Sequence, residues 1–303
     1  MAGGKGTGMT AWKDGYWWSN DGLRLHYRDH PGPADRPPII CIPGLTRNAR
    51  DFEGVAGRLG GAWRVICVDL RGRGESAYAK DPMTYVPLTY LQDMEKLIRE
   101  LELERFILFG TSLGGLITML LAMNERPRIA GALINDIGPV LDERGLERIR
   151  SYVGRSQSWP TWMHAARFFA EAQKDIYLGW TLEQWLVFAK RLCRLGSGGR
   201  VAFDYDMRIA EPFRIPGGAT GFDLWRAFEG LRDIPALAVR GELSDLLSPA
   251  TIDRMTEAVP GLEVVTVPGV GHAPTLDEPE AIAATEQLLA RIAGASANEE
   301  VQR

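Results

Sequence analysis

The stretch Phe106–Met119, FILFGTSLGGLITM, constrains this chain more than any other. A β-rich apolar run (Phe106, Ile107, Leu108, Phe109) meets Gly110-Thr111-Ser112-Leu113-Gly114, and a helix-like apolar run follows. G-x-S-x-G between a strand and a helix describes a sharp turn that strains its serine and lifts the hydroxyl above the sheet edge. Side chains at Gly110, Gly114 and Gly115 would meet neighbouring backbone in so tight a turn. The helix opening after Ser112 aims free N–H groups and a positive dipole end at any negative charge that develops there.

The flanking sequence supplies the sheet that such a turn needs. Tyr16–Ser19 and Leu23–Arg28 read as a hairpin closed at Asn20-Asp21-Gly22. Continuous apolar strands follow at Pro37–Pro43, Arg64–Leu70, Phe106–Gly110, Ile129–Asn135, Ala236–Arg240 and Glu263–Val267. Runs of this kind suit a sheet covered on both faces. Between them, Leu91, Met94, Leu97, Ile98 and Leu101 recur at helical spacing, Ser248-Pro249 opens a helix, and Glu278-Pro279 opens the last. Strands alternating with helices predict an α/β fold with a mainly parallel, doubly wound sheet.

The alternation breaks between about Gly138 and Leu231, where no strand signal is read. This segment holds five of the nine tryptophans and seven of the ten phenylalanines, with helical patterning in Arg144–Val153, Trp162–Gln173 and Leu182–Leu195. It reads as a helical insertion over the C-terminal edge of the sheet, whose aromatics mostly pack its own small core. The expected division is a core of 12–138 and 231–295, an insertion of 139–230, and flexible termini at 1–11 and 296–303.

Bulk properties exclude several classes. A net charge of −4 argues against a nucleic-acid surface. No apolar run reaches the ~20 residues of a membrane span, and the opening MAGGKGTGMTAWKDG lacks the apolar stretch of a secretory signal. Three cysteines, Cys41, Cys67 and Cys193, make no disulfide framework. A cytoplasmic monomer or homodimer acting on a small molecule is expected. No metal or organic cofactor is expected, because no ligand cluster has metal spacing and Arg71-Gly-Arg-Gly-Glu-Ser lacks the signature of a phosphate loop.

A serine hydroxyl needs a base to become a nucleophile. Of His26, His30, His164 and His272, the last lies in a loop after the final strand, at the sheet edge where Ser112 is expected. An imidazole in turn needs a carboxylate. Asp245 follows the penultimate strand and completes the chain order Ser112…Asp245…His272. Asp136, after the strand that follows the serine, is the alternative acid, and Glu242 lies near Asp245. Asp69 and Asp93 read as structural. An oxyanion would find donors in the backbone N–H of Leu113 and, from the loop Pro43-Gly44-Leu45-Thr46, that of Leu45. Arg144, Arg148 and Arg155 offer partners for a substrate carboxylate, although Arg144 and Arg148 also fit an ordinary solvated helix face.

From Trp17 to about Ala293 the chain resembles the α/β-hydrolase superfamily. The resemblance rests on Pro43-Gly44, Asp69-Leu-Arg-Gly-Arg-Gly-Glu-Ser76, Gly110–Gly115, Asp245 and Gly271-His272. It departs from the family at Pro43, where a histidine is usual. It implies that the insertion is a cap forming a substrate pocket. It also implies a serine hydrolase cleaving a carboxylic ester or lactone of a small, largely apolar substrate through an acyl-enzyme. Relatives that attack with aspartate are disfavoured by Ser112. A C–C bond hydrolase of a ring-fission diketone is an alternative, disfavoured by Ala273-Pro274 where such enzymes carry Trp. A ligand-binding module without turnover is the other.

Overall fold

The hairpin forms as β1 (Lys13–Trp18) and β2 (Arg24–His30), with Trp17 opposite Leu25, in a computed structural model that describes residues 11–212 and 223–301. Gly22 takes φ +80° in the connecting turn, a conformation few other residues accept. The apolar runs become β3 (Ile39–Ile42), β4 (Val65–Asp69), β5 (Phe106–Thr111), β6 (Ile129–Asn135), β10 (Ala236–Gly241) and β11 (Leu262–Val267). They assemble in the order β1-β2-β4-β3-β5-β6-β10-β11, parallel from β4 to β11. All of β3, β4, β6 and β10 is buried, which is why these strands read as unbroken apolar runs.

Helices cover both faces. On one lie α2 (Pro87–Glu100), α3 (Leu113–Asn124), α7 (Leu224–Glu229) and α8 (Pro249–Ala258). On the other lie α1 (Glu53–Leu59) and α9 (Pro279–Val301). Successive residues of β5 serve the two cores in turn, Phe106 and Leu108 on the first and Ile107 and Phe109 on the second. In α2 the residues at helical spacing, Leu91, Met94, Leu97 and Ile98, are buried together with Tyr90 and Asp93. The stretch from Ser296, expected as a flexible terminus, continues as helix, since α9 runs to Val301.

The segment between β6 and β10 contains α4 (Glu143–Tyr152), α5 (Trp162–Ala172) and α6 (Leu182–Leu192). It also contains strands, contrary to the expectation: β7 (Ser158–Trp159), β8 (Cys193–Leu195) and β9 (Val201–Phe203) pair antiparallel in the order β7-β9-β8. Two or three residues are too few to display a period of two, so the pattern was silent. The helix expected to reach Leu195 stops at Leu192 because Cys193 turns extended, and Gly196–Gly199 closes the β8–β9 hairpin. Trp159, Phe169, Trp185 and Phe188 pack together as a buried cluster. Trp225 instead sits on α7, whose Phe228 packs into the core beneath α3. Pro216-Gly217-Gly218, whose composition reads as a loop, lies outside the described residues. Among those described, no helix is long and apolar enough to cross a membrane, and Cys41, Cys67 and Cys193 are free and buried.

Candidate active site

Ser112 stands between the end of β5 and the start of α3 with φ 52° and ψ −115°, while its own N–H donates to Asn135 O at 2.9 Å. A positive φ in a non-glycine residue costs of order 1–3 kcal/mol and persists only where neighbours enforce it. The neighbours here are backbone: a Cβ at Gly110 would lie 2.3 Å from Gly114 O, and one at Gly114 would lie 1.9 Å from Ile42 O. The glycines let β3, β5 and α3 close around the turn and leave the hydroxyl outside.

The loop after β11 carries His272 and is held by the insertion. Gly271 N–H donates to Ile176 O at 2.6 Å, Leu178 N–H to Gly269 O at 3.2 Å, and the Tyr177 hydroxyl to Ala273 O at 2.8 Å. From the sheet, Asn135 Nδ2 donates to Pro274 O at 2.8 Å. These restraints bring His272 Nε2 to 2.9 Å from Ser112 Oγ.

The carboxylate beside the imidazole belongs to Asp136, 2.8 Å from Oδ2 to Nδ1, and not to Asp245 as the chain order suggested. Asp136 follows β6, is fully buried and takes φ 55°. Its Oδ1 accepts the Gly241 N–H at 2.8 Å and its Oδ2 also accepts the Ser244 hydroxyl at 2.7 Å. The β10 loop thus supplies the donors that hold the acid, while β6 supplies the acid itself. Asp245 is engaged elsewhere: Arg148 Nε and Nη2 reach its two oxygens at 2.5 and 2.8 Å. Burial pushes its carboxyl pKa up, but the Arg148 hydrogen bonds and charge outweigh that and hold it below the usual range. The backbone supports this pairing, with Asp142 N–H donating to Leu246 O at 3.0 Å. Glu242 accepts the Gly269 N–H at 2.8 Å and so braces the histidine loop.

Leu113 opens α3, so its N–H lacks an intrahelical acceptor. Gly44 O accepts Arg47 N–H at 3.1 Å, and in a trans peptide the Leu45 N–H points the opposite way. A Cβ on Gly44 would lie 3.6 Å from Ser112 Cβ, so this loop runs beside the serine. The Leu45 carbonyl is held by Arg73 Nε at 2.9 Å. Arg73 is wholly buried, bonds Arg71 O and the Tyr90 hydroxyl, and pairs with no carboxylate among the described residues. The motif Asp69–Ser76 is therefore a scaffold. Asp69 accepts from Ala49 N–H and from His26, Arg71 from the same motif grips Asp93, and Arg73 steadies the loop beside Ser112. Sequence reading missed Arg73; its only signal was a second arginine in a motif flanked by apolar strands.

Above Ser112 lies a cavity of about 510 Å³. Gly44, Leu45, Ser112 and His272 form its floor, and Phe168, Phe169, Tyr177 and Phe203 contribute apolar wall. None of the tryptophans of the insertion lines it. Arg148 and Arg155 do line it, while Arg144 is exposed and pairs with Asp142, so the expected solvated face holds for Arg144 alone. His164 is exposed against Thr161, and His26 lies buried between Asp69 and Asp14, so neither approaches Ser112. No group of three metal-ligating side chains exists among the described residues. A hydroxyl, an imidazole and a buried carboxylate in one hydrogen-bonded line can activate the hydroxyl as a nucleophile toward a carbonyl held over the cavity floor.

The fold and this geometry define a class, and comparison with known proteins places the chain in it. Residues 39–285 match the model of the alpha/beta hydrolase family, and the chain belongs to that family. It is 37% identical over 274 residues to a 3-hydroxybutyrate-oligomer hydrolase of Cupriavidus necator, covering 88% of this chain and 92% of that protein. A 2-(acetamidomethylene)succinate hydrolase of Mesorhizobium japonicum is 28% identical, with 78% of this chain and 81% of that protein covered. Among solved structures, an alpha/beta hydrolase of Novosphingobium aromaticivorans is 57% identical with a TM-score of 0.90, covering 94% of this chain and all of that one.

Proposed function

We propose that the protein is a serine hydrolase that cleaves a carboxylic ester or lactone of a small substrate through an acyl-enzyme. The observation that carries this is the unbroken line from Ser112 Oγ to His272 Nε2 at 2.9 Å and from His272 Nδ1 to Asp136 at 2.8 Å, opening onto a cavity. Asp136 accepts a hydrogen bond from Nδ1–H and so fixes the tautomer whose Nε2 takes the serine proton. Ser112 Oγ then attacks the ester carbonyl. The negative oxygen is met by the N–H groups of Leu45 and Leu113. His272 returns the proton to the departing alcohol, and a water activated by the same nitrogen releases the acid. The relative named for 3-hydroxybutyrate oligomers supports ester chemistry, since hydroxy-acid oligomers are joined by ester bonds.

In this reading α4–α6 and the small sheet act as a cap over the serine, and α7, packed on α3, belongs to the core. The reaction needs no metal or cofactor. Three free buried thiols suit a cytoplasmic site of action. The test is turnover of 4-nitrophenyl butyrate together with labelling by a fluorophosphonate. Both are expected in the wild type and both are lost in Ser112→Ala, whose Tm stays close to wild type. Turnover that survives Ser112→Ala overturns the reading.

A further inference from the structure

The cavity wall is charged against the grain of the molecule. The chain carries a net charge of −4, yet among the described residues the wall presents Arg47, Arg148, Arg155 and Arg191 with Asp51 as its single carboxylate. Three of these arginines are tethered. Arg47 Nε bonds Asp51 at 2.6 Å, the Arg148 fork grips Asp245, and Arg191 Nη2 bonds Asp277 at 3.0 Å. Each tether fixes a side chain, and the first two pair one arginine with one carboxylate, whereas Asp277 is shared with Arg58. Arg155 has no such partner among the described residues. It lies three residues past α4, its N–H bonded to Tyr152 O at 3.2 Å, and is solvent-exposed while lining the same wall as Arg148 and Gln157. The pair Arg148–Asp245 ties α4 to the loop after β10.

An arginine without a carboxylate, on a concave wall already rich in guanidinium groups, is poised for an anion. We infer that the substrate of the proposed ester hydrolysis carries a carboxylate, and that Arg155 receives it while the apolar wall of Phe168, Phe169 and Phe203 takes the chain between carboxylate and ester. A charge-assisted, two-point contact fixes the distance from the anionic end to the scissile carbonyl. It therefore favours one reach between the two groups over longer or shorter ones.

This inference rests on the ester-hydrolase reading, so its test separates the two. Two matched pairs of esters are compared by kcat/KM. One pair, phenyl hydrogen glutarate and phenyl methyl glutarate read by phenol release, places the charge on the acyl side. The other, the linear dimer of 3-hydroxybutyrate as free acid and as methyl ester, read by chromatography of the inner-ester products, places it on the alcohol side. The anionic member of at least one pair is expected to be favoured by about tenfold or more, chiefly through KM. Arg155→Gln is expected to collapse that ratio, whereas Arg144→Gln, on the exposed side of α4, keeps it. Equal rates within both pairs, or a preference that survives Arg155→Gln, overturn the inference and leave the hydrolase standing. Failure of all four esters, or their turnover by Ser112→Ala, removes the hydrolase reading itself.

Discussion

The floor and the roof of the cavity are built by different means. The floor comes from the parallel sheet. Asp136 is fully buried and takes three donors, Arg73 is fully buried, and Ser112 is held in a strained turn by backbone on two sides. The roof comes from the insertion and is held by ion pairs such as Arg148–Asp245, whose side chains are 29% and 31% exposed. A buried, fully partnered group cannot move without breaking several bonds at once. A half-exposed ion pair opens at little cost, because water replaces each partner. On the proposed reading, the reacting groups sit where geometry is rigid, and substrate is met where it can adjust.

The two aspartates sharpen this contrast most. Asp136→Asn is expected to lower kcat by about 10⁴-fold, because an amide in that place presents the wrong partner to the imidazole. Asp245→Asn is expected to cost less than about tenfold, the worth of a part-exposed ion pair. Steady-state kinetics on one ester decides between them, and the reverse order would return the acid to Asp245. A smaller effect tests the support beneath the floor. Arg73→Met removes the bond that steadies the Leu45 carbonyl, and a fall of about 10–100-fold in kcat with little change in KM is expected, somewhat less than deleting an oxyanion donor outright. An equal change in KM would make Arg73 a general packing residue.

The smallest expected effect is in stability. Burial pushes the His26 pKa down, but the carboxylates of Asp69 and Asp14 outweigh it and leave the imidazole above its ordinary value. The folded protein therefore binds this proton more tightly than the unfolded chain. The resulting stability is fully present below about pH 6.5, the unfolded value, and is lost as pH rises through the higher folded value. The Tm gap between wild type and His26→Gln should accordingly narrow from pH 6 toward pH 9, by about 2–4 °C per kcal/mol lost. A gap that widens with pH would show that the imidazole is held neutral.

Much of the floor was legible because its signals are local. The strand–glycine–serine–helix run, the apolar strands and the hairpin are each written in adjacent residues. The roof was less legible. The strands of the small sheet are two or three residues long, Trp225 is drawn to the core by Phe228, and Arg148 finds its partner 97 positions away.

By itself the sequence determined the α/β alternation, the strained serine turn and the histidine loop, since backbone periodicity and glycine sterics act over a few residues. Only the tertiary structure decided between Asp136 and Asp245. Both follow parallel strands at the same sheet edge, and chain order favours the second. The choice is made by what surrounds each carboxylate: Gly241, Ser244 and His272 converge on one, and an arginine from the insertion claims the other. The donors to Asp136 come from more than a hundred residues away and Arg148 from 97 positions before Asp245, and no local pattern encodes either.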